Sequence, residues 1–94
     1  MREESYDFLK KLLSTPGPSV NEGAAARVWR EEAGKFAEVR GDRMGNSFAT
    51  LNARGSPKVM RSGHIDEIGI MITHIDDQGF LRFTGVGGWD PQVL

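Results

Sequence analysis

A chain of 94 residues, 38% hydrophobic and 27% charged, has the composition of one small globular domain and not of a disordered tail, though at this length only about 60 to 65% of the unfolded surface can be buried. Twelve basic side chains against thirteen acidic ones leave a net charge of -1 with no Lys/Arg cluster, which argues against nucleic acid as a partner. The lack of cysteine excludes a disulfide framework and any thiolate metal site, and fits a reducing compartment.

The first residues, Met1-Arg2-Glu3-Glu4, lead straight into an amphipathic segment with no apolar signal region. The longest apolar run, around Ile68 to Ile72, is far shorter than the roughly 20 residues of a membrane span. A cytoplasmic protein with no membrane partner is expected. From Ser5 to Leu13 the residues Tyr6, Leu9, Leu12 and Leu13 recur at helical spacing, with Lys10 and Lys11 facing away. This helix should stop at Ser14-Thr15-Pro16-Gly17-Pro18, where two prolines remove backbone donors and push the preceding residues out of helical geometry.

Ser19-Val20-Asn21-Glu22 has the form of a capping box and predicts a second helix starting there. Its apolar face would carry Ala25, Val28, Trp29, Ala33 and Phe36, with Trp29 as a core anchor, while Arg27, Arg30, Glu31 and Lys35 face water. After Phe36 the period changes to two. Glu38 to Arg40 and Ser47 to Leu51 read as strands joined by a turn over Asp42 to Asn46. Lys58 to Ser62 reads as a third strand, and Ile68 to Ile75 and Phe80 to Thr84 as a hairpin around Asp76-Asp77-Gln78-Gly79. Two helices followed by five short strands, without any repeat of roughly 20 to 50 residues, predict an α/β arrangement. The final Val93-Leu94 reads as the start of a further strand.

The chemistry concentrates in Gly63-His64-Ile65-Asp66-Glu67-Ile68-Gly69. Residues two apart in an extended chain share a face, so Asp66 can hold one nitrogen of the His64 ring while the other meets a metal. A histidine and an aspartate at this spacing occur often by chance, and from spacing alone a strand-end histidine is more commonly a packed or solvated one. His74 is the only other imidazole. With Ile68 to Ile75 as one extended strand at ~3.3 Å per residue, the rings would lie on the order of 20 Å apart or more, so His74 should be a strand residue with its ring nitrogen satisfied. Asp66 and Glu67 are adjacent and point to opposite faces, which disfavours a glycosidase pair. Asp76-Asp77 lacks the pattern of a calcium loop.

Taken together, Thr15-Pro16-Gly17-Pro18-Ser19, Asp42-Arg43-Met44-Gly45-Asn46, Gly63 to Gly69, Thr73-His74-Ile75-Asp76 and Phe80-Leu81-Arg82-Phe83 leading to Val86-Gly87-Gly88-Trp89-Asp90-Pro91-Gln92-Val93-Leu94 resemble the N-terminal part of the tetrahedral, glutamyl and deblocking aminopeptidases, a family some of whose members carry an endoglucanase label. The resemblance covers essentially the whole chain. It implies a fragment of an α/β/α metallopeptidase catalytic domain over residues 1–85, with residues 86–94 crossing into a β-rich dimerisation domain. It further implies two zinc or cobalt ions acting on peptide substrates, His64 as a metal ligand, Asp66 as the carboxylate that orients it, and dimers assembling into a dodecamer.

The family's other ligands and its general base have no counterpart in these residues, so the chain by itself is expected to hold metal weakly and to be inactive, a catalytic zinc needing three or more protein ligands. Arg61 stands where the family usually has an aliphatic residue in a buried strand, and calls for either a carboxylate partner or a less enclosed strand. Val20 stands for a glycine and Gly85 for a residue that is often proline, both expected to be tolerated. A non-catalytic module that binds peptides or docks onto complete subunits is the alternative.

Overall fold

The computed structural model describes residues 1–93. Helix α1 spans Glu3–Ser14, with Glu3 and Glu4 in its first turn and Lys11 in its last, each complementing the helix dipole. It ends as the prolines require: Thr15 is extended, at φ -85° and ψ 121°, as the residue before Pro16 should be. The hydroxyls of Ser14 and Thr15 turn back to donate to the carbonyls of Lys10 and Lys11. Lys11 is exposed, as expected, with its Nζ 3.8 Å from a Glu31 carboxylate oxygen on the next helix. Both groups are exposed, so this pair adds little.

Helix α2 spans Gly23–Ala33 and starts later than the capping pattern predicts. Glu22 is the cap residue, without a side-chain cap bond, and its carboxylate accepts from the amide of Val20 at 2.6 Å. The Ser19 hydroxyl is engaged elsewhere, by Asp66. Ala25, Ala26 and Ala33 are the buried apolar residues among those described. Their small side chains let the helix approach its neighbours closely, and Trp29 is half-buried instead of forming a central anchor. Arg30 also departs from the expected solvent face, its guanidinium donating to the Ser47 hydroxyl at 2.9 Å on strand β2.

Strands β1 (Glu38–Gly41) and β2 (Ser47–Thr50) form an antiparallel hairpin in which Arg40 faces Phe48, the guanidinium 4.4 Å from the ring centroid. Asp42 organises its turn by accepting from the amides of Met44 and Asn46 and from the Asn46 side chain, while Gly45 supplies the positive φ of 90°. The expected third strand over Lys58 to Ser62 is absent among the described residues. No strand lies beside it to complete a ladder, and Val59 and Met60 are 79% and 89% exposed. Arg61 is likewise exposed, so its charge meets no desolvation cost here.

Strands β3 (Gly69–Ile75) and β4 (Leu81–Val86) form a second, separate antiparallel ribbon, with the register shifting between Ile72 and His74 so that Thr73 is bulged out. Its turn repeats the aspartate device: Asp76 accepts from the amides of Gln78 and Phe80. Trp89 closes the open end. Its indole N–H donates to the Gly69 carbonyl at 2.7 Å, and the ring lies where a Cβ on Gly85 would come within 2.8 Å of it. Pro91–Val93 is a 3₁₀ turn and not the expected strand, because Asp90 takes the amides of Gln92 and Val93 onto its side chain and carbonyl. Leu94, the other half of that expectation, lies outside the described residues.

The chain is therefore two small bodies in an elongated 60 × 32 × 24 Å molecule. They are joined where the loop over Gly17 to Ser19 meets Glu67 as a parallel bridge.

Candidate functional site

That junction is built from main-chain bonds first. Glu67 N–H donates to the Gly17 carbonyl at 2.9 Å, and Ser19 N–H donates to the Glu67 carbonyl at 3.1 Å. The Glu67 carboxylate adds a third bond by accepting from the Gly17 amide at 2.9 Å. Gly17 is buried, and a Cβ there would come 3.0 Å from that of Ala25, so the loop runs too close to α2 for a larger residue. Pro18 packs near Gly69, where a Cβ would meet it at 3.3 Å.

On this clamp sit the two residues singled out from the sequence. His64 Nδ1 lies 3.0 Å from Asp66 Oδ1 and 3.2 Å from the Asp66 carbonyl oxygen. Both oxygens are acceptors, so Nδ1 carries the proton and donates, and in the neutral ring Nε2 is left with its lone pair outward. The His64 side chain is 87% exposed, and Nε2 has no hydrogen-bond partner among the described residues. Asp66 is bonded on its other side as well: the Ser19 hydroxyl donates to Oδ2 at 2.6 Å. The bonds from Ser19 and then from His64 hold the Asp66 carboxyl below the ordinary carboxylate range, so it is ionised and accepts from both.

Sequence reasoning placed His64 and Asp66 together and the structure does the same. It missed Ser19, read as a helix cap, and it missed the role of Glu67. The only signal for either was that glycines bracket both segments, with prolines in the first, which says nothing about their meeting across about fifty residues of chain. His74 is exposed on β3 opposite Arg82, and the satisfied ring nitrogen expected for it is not found among the described residues. Asp66 and Glu67 are bonded to different groups, Ser19 with His64 and Gly17 respectively, so they do not face one another across a shared cleft.

His64 and Asp66 lie along an open groove of about 1270 Å³ whose apolar lining includes Leu12, Trp29, Phe48, Val59 and Met60. The donor chemistry suits a divalent metal at one position, a neutral imidazole fixed by a carboxylate. Yet no group of three or more His, Cys, Asp or Glu side chains among the described residues comes together to hold an ion. One imidazole falls short of the three protein ligands that a catalytic zinc uses.

The profile of the M42 glutamyl aminopeptidase family matches residues 45–94, a stretch that contains the whole His64 to Gly69 segment. The chain belongs to the M42 glutamyl aminopeptidase family. A lysyl aminopeptidase of Pyrococcus furiosus is 36% identical over 91 residues, covering 95% of this chain and 26% of that protein. The glutamyl aminopeptidase of Lactococcus lactis is 34% identical over 97% of this chain and 26% of its own length. The crystal structure of a TET aminopeptidase from a marine sediment thaumarchaeon superposes with a TM-score of 0.86 at 31% identity, over 98% of this chain and 26% of that one. This M42 chain thus has the α/β fold of one part of a TET-type subunit and spans about a quarter of the length of its relatives. Among the described residues, no helix is long and apolar enough to cross a membrane.

Proposed function

We propose that this chain is the part of a metal-dependent aminopeptidase that contributes one metal ligand and the residues holding it, and that it acts on the N-termini of peptides once combined with the rest of an M42 subunit. The observation that carries the reading is the His64 ring, held through Nδ1 by Asp66 with Nε2 turned out, on a segment that the M42 family profile matches. His64 would be the metal ligand, and Asp66 the carboxylate orienting it. Two zinc or cobalt ions would supply a polarised scissile carbonyl and an activated water when bound. This chain's own contribution is to fix one imidazole in the correct tautomer.

Alone, the 94 residues would neither retain metal tightly nor cleave peptides, since their described side chains gather no three-ligand cluster. Residues 1–85 would belong to the catalytic domain and 86–94 would lead into a dimerisation domain. A homo-oligomeric, cytoplasmic enzyme built from dimers, up to a dodecamer, is part of the same proposal. Sequencing the coding DNA beyond the Leu94 codon tests it. In-frame codons for further His, Asp and Glu ligands support the reading, and an immediate stop contradicts it.

One observation favours a second reading, a non-catalytic module docking onto complete subunits. Large apolar side chains stand exposed along the open groove and on the β3–β4 ribbon, among them Met60 at 89%, Leu51 at 69% and Phe80 at 68%. Co-elution of the chain with a complete M42 aminopeptidase on size exclusion separates this reading from a merely truncated one, and separate elution removes it.

A further inference from the structure

Asp66 can orient His64 only if something orients Asp66. A half-buried aspartate on a loop can still turn about its side-chain torsions, and a single bond to an imidazole two residues away does not fix it. In this chain the second constraint comes from residue 19, 47 positions earlier, whose hydroxyl donates to Asp66 Oδ2 at 2.6 Å while Oδ1 receives the His64 Nδ1 proton at 3.0 Å. The two carboxylate oxygens are thus divided between two donors on two different segments.

Ser19 is itself held firmly. Its amide donates to the Glu67 carbonyl at 3.1 Å, one of the two main-chain bonds of the bridge between Pro18 and Glu67. Directly after it the chain turns through Val20 at φ 77°, a left-handed conformation that a β-branched residue rarely adopts. That turn is kept by Asn21 N–H donating to the Pro18 carbonyl at 2.8 Å and Val20 N–H donating to the Glu22 carboxylate at 2.6 Å. Strained backbone that the surrounding bonds over-determine is the kind found where a side chain must be aimed. Here the side chain so aimed is the Ser19 hydroxyl.

We propose that Ser19 is a positioning residue for the metal site: by holding Asp66 Oδ2 it fixes the carboxylate that keeps the His64 ring in its Nδ1–H tautomer, with Nε2 free for a divalent cation. The tautomer part stands on the geometry alone, whereas its consequence for metal rests on the reading of His64 as a ligand. The test therefore reads the two separately.

Ring nitrogen shifts of His64, recorded by ¹⁵N NMR on the full chain in mildly alkaline buffer, report the tautomer. Zinc titration followed at Nε2 reports the ligand role. Wild type should be predominantly Nδ1–H. S19A should move the ring toward the Nε2–H form and weaken the zinc response by about 10-fold, the effect typical of losing a supporting hydrogen bond behind a metal ligand. S19T, which keeps a hydroxyl, should restore both, and D66N should reproduce the S19A change or exceed it. A wild-type ring spectrum in S19A overturns the proposal. The amides of Gly17, Ser19 and Glu67 serve as the control for an intact loop. If S19A loses them, S19T against S19V, two side chains of one shape with and without the hydroxyl, carries the same comparison, and identical spectra for that pair overturn it too. Zinc that leaves wild-type Nε2 unmoved contradicts the ligand reading alone, and the tautomer arm still decides the role of Ser19.

Discussion

The two halves of this molecule are held together by different physics. The helical half packs α1, α2 and the β1–β2 hairpin around three alanines, so its order comes from close approach of small side chains. The β3–β4 ribbon packs against none of those elements, and both of its faces are open: Ile70, Met71, Ile72, Leu81 and Phe83 are all exposed. What keeps it in register is local, an aspartate turn at one end and the Trp89 clip at the other. An isolated two-stranded ribbon is marginal in water. The junction carrying His64 joins a packed body to a locally stapled one.

The contrast predicts that core damage stays on its own side. Ala26 is 4% exposed, and Ala26→Asp would place a carboxylate there at a cost of about 3 kcal/mol. Hydrogen exchange of the α2 amides should accelerate on the order of 100-fold, with the β3–β4 amides little changed. Equal acceleration in both would show that the halves unfold as one unit. Trp89→Ala is the reciprocal experiment. It removes the bond to the Gly69 carbonyl and the ring lying on Gly85, a loss of about 2 kcal/mol for a half-buried tryptophan, and should release the ribbon amides while leaving α2 protected.

A smaller effect of opposite sign is expected at the junction. The left-handed conformation of Val20 costs about 1 to 2 kcal/mol, and its side chain, 95% exposed, gains nothing in return. Val20→Gly relieves that strain and loses part of it to backbone entropy, leaving a net stabilisation of about 1 kcal/mol, measurable as a raised denaturation midpoint. Val20 was expected to be tolerated; the φ of 77° shows that it is accommodated under strain.

The smallest effect is on pH. The folded-state value of Asp66 is depressed, by Ser19 first and His64 second, so its contribution is present above the ordinary 3.8 and is lost as pH falls through the lower folded value. The Ser19 to Asp66 contact should therefore persist at neutral pH and weaken only below about pH 3.8, read from the Ser19 and Glu67 amide shifts on acidification. Loss of the contact nearer neutrality would mean that the carboxylate is not held in this way.

These differences also explain which features were legible in the sequence. Local devices were: the proline stop after α1, the Asp42 and Asp76 turns, and the His64 and Asp66 pair each depend on residues within a few positions. What failed depends on partners far along the chain or on competition for one group. Ser19 looks like a cap because its four-residue window matches one, yet its hydroxyl bonds Asp66, 47 residues later. Lys58 to Ser62 has strand composition, but a strand requires a neighbour to complete its ladder. Val93 looks like strand, and Asp90 with Pro91 turns it into a 3₁₀ helix. The metal reading came from family resemblance, since a histidine and an aspartate two apart are too common to carry it.

The central proposal is that His64, steered by Asp66, would supply one ligand of a metal site that the remainder of an M42 subunit completes. The most direct measurement is metal content per subunit and peptide hydrolysis for the chain joined to the remainder of an M42 aminopeptidase subunit, with and without His64→Ala. The variant should lose bound metal and on the order of 1000-fold in kcat/KM. Full metal content with an undiminished rate would contradict the account.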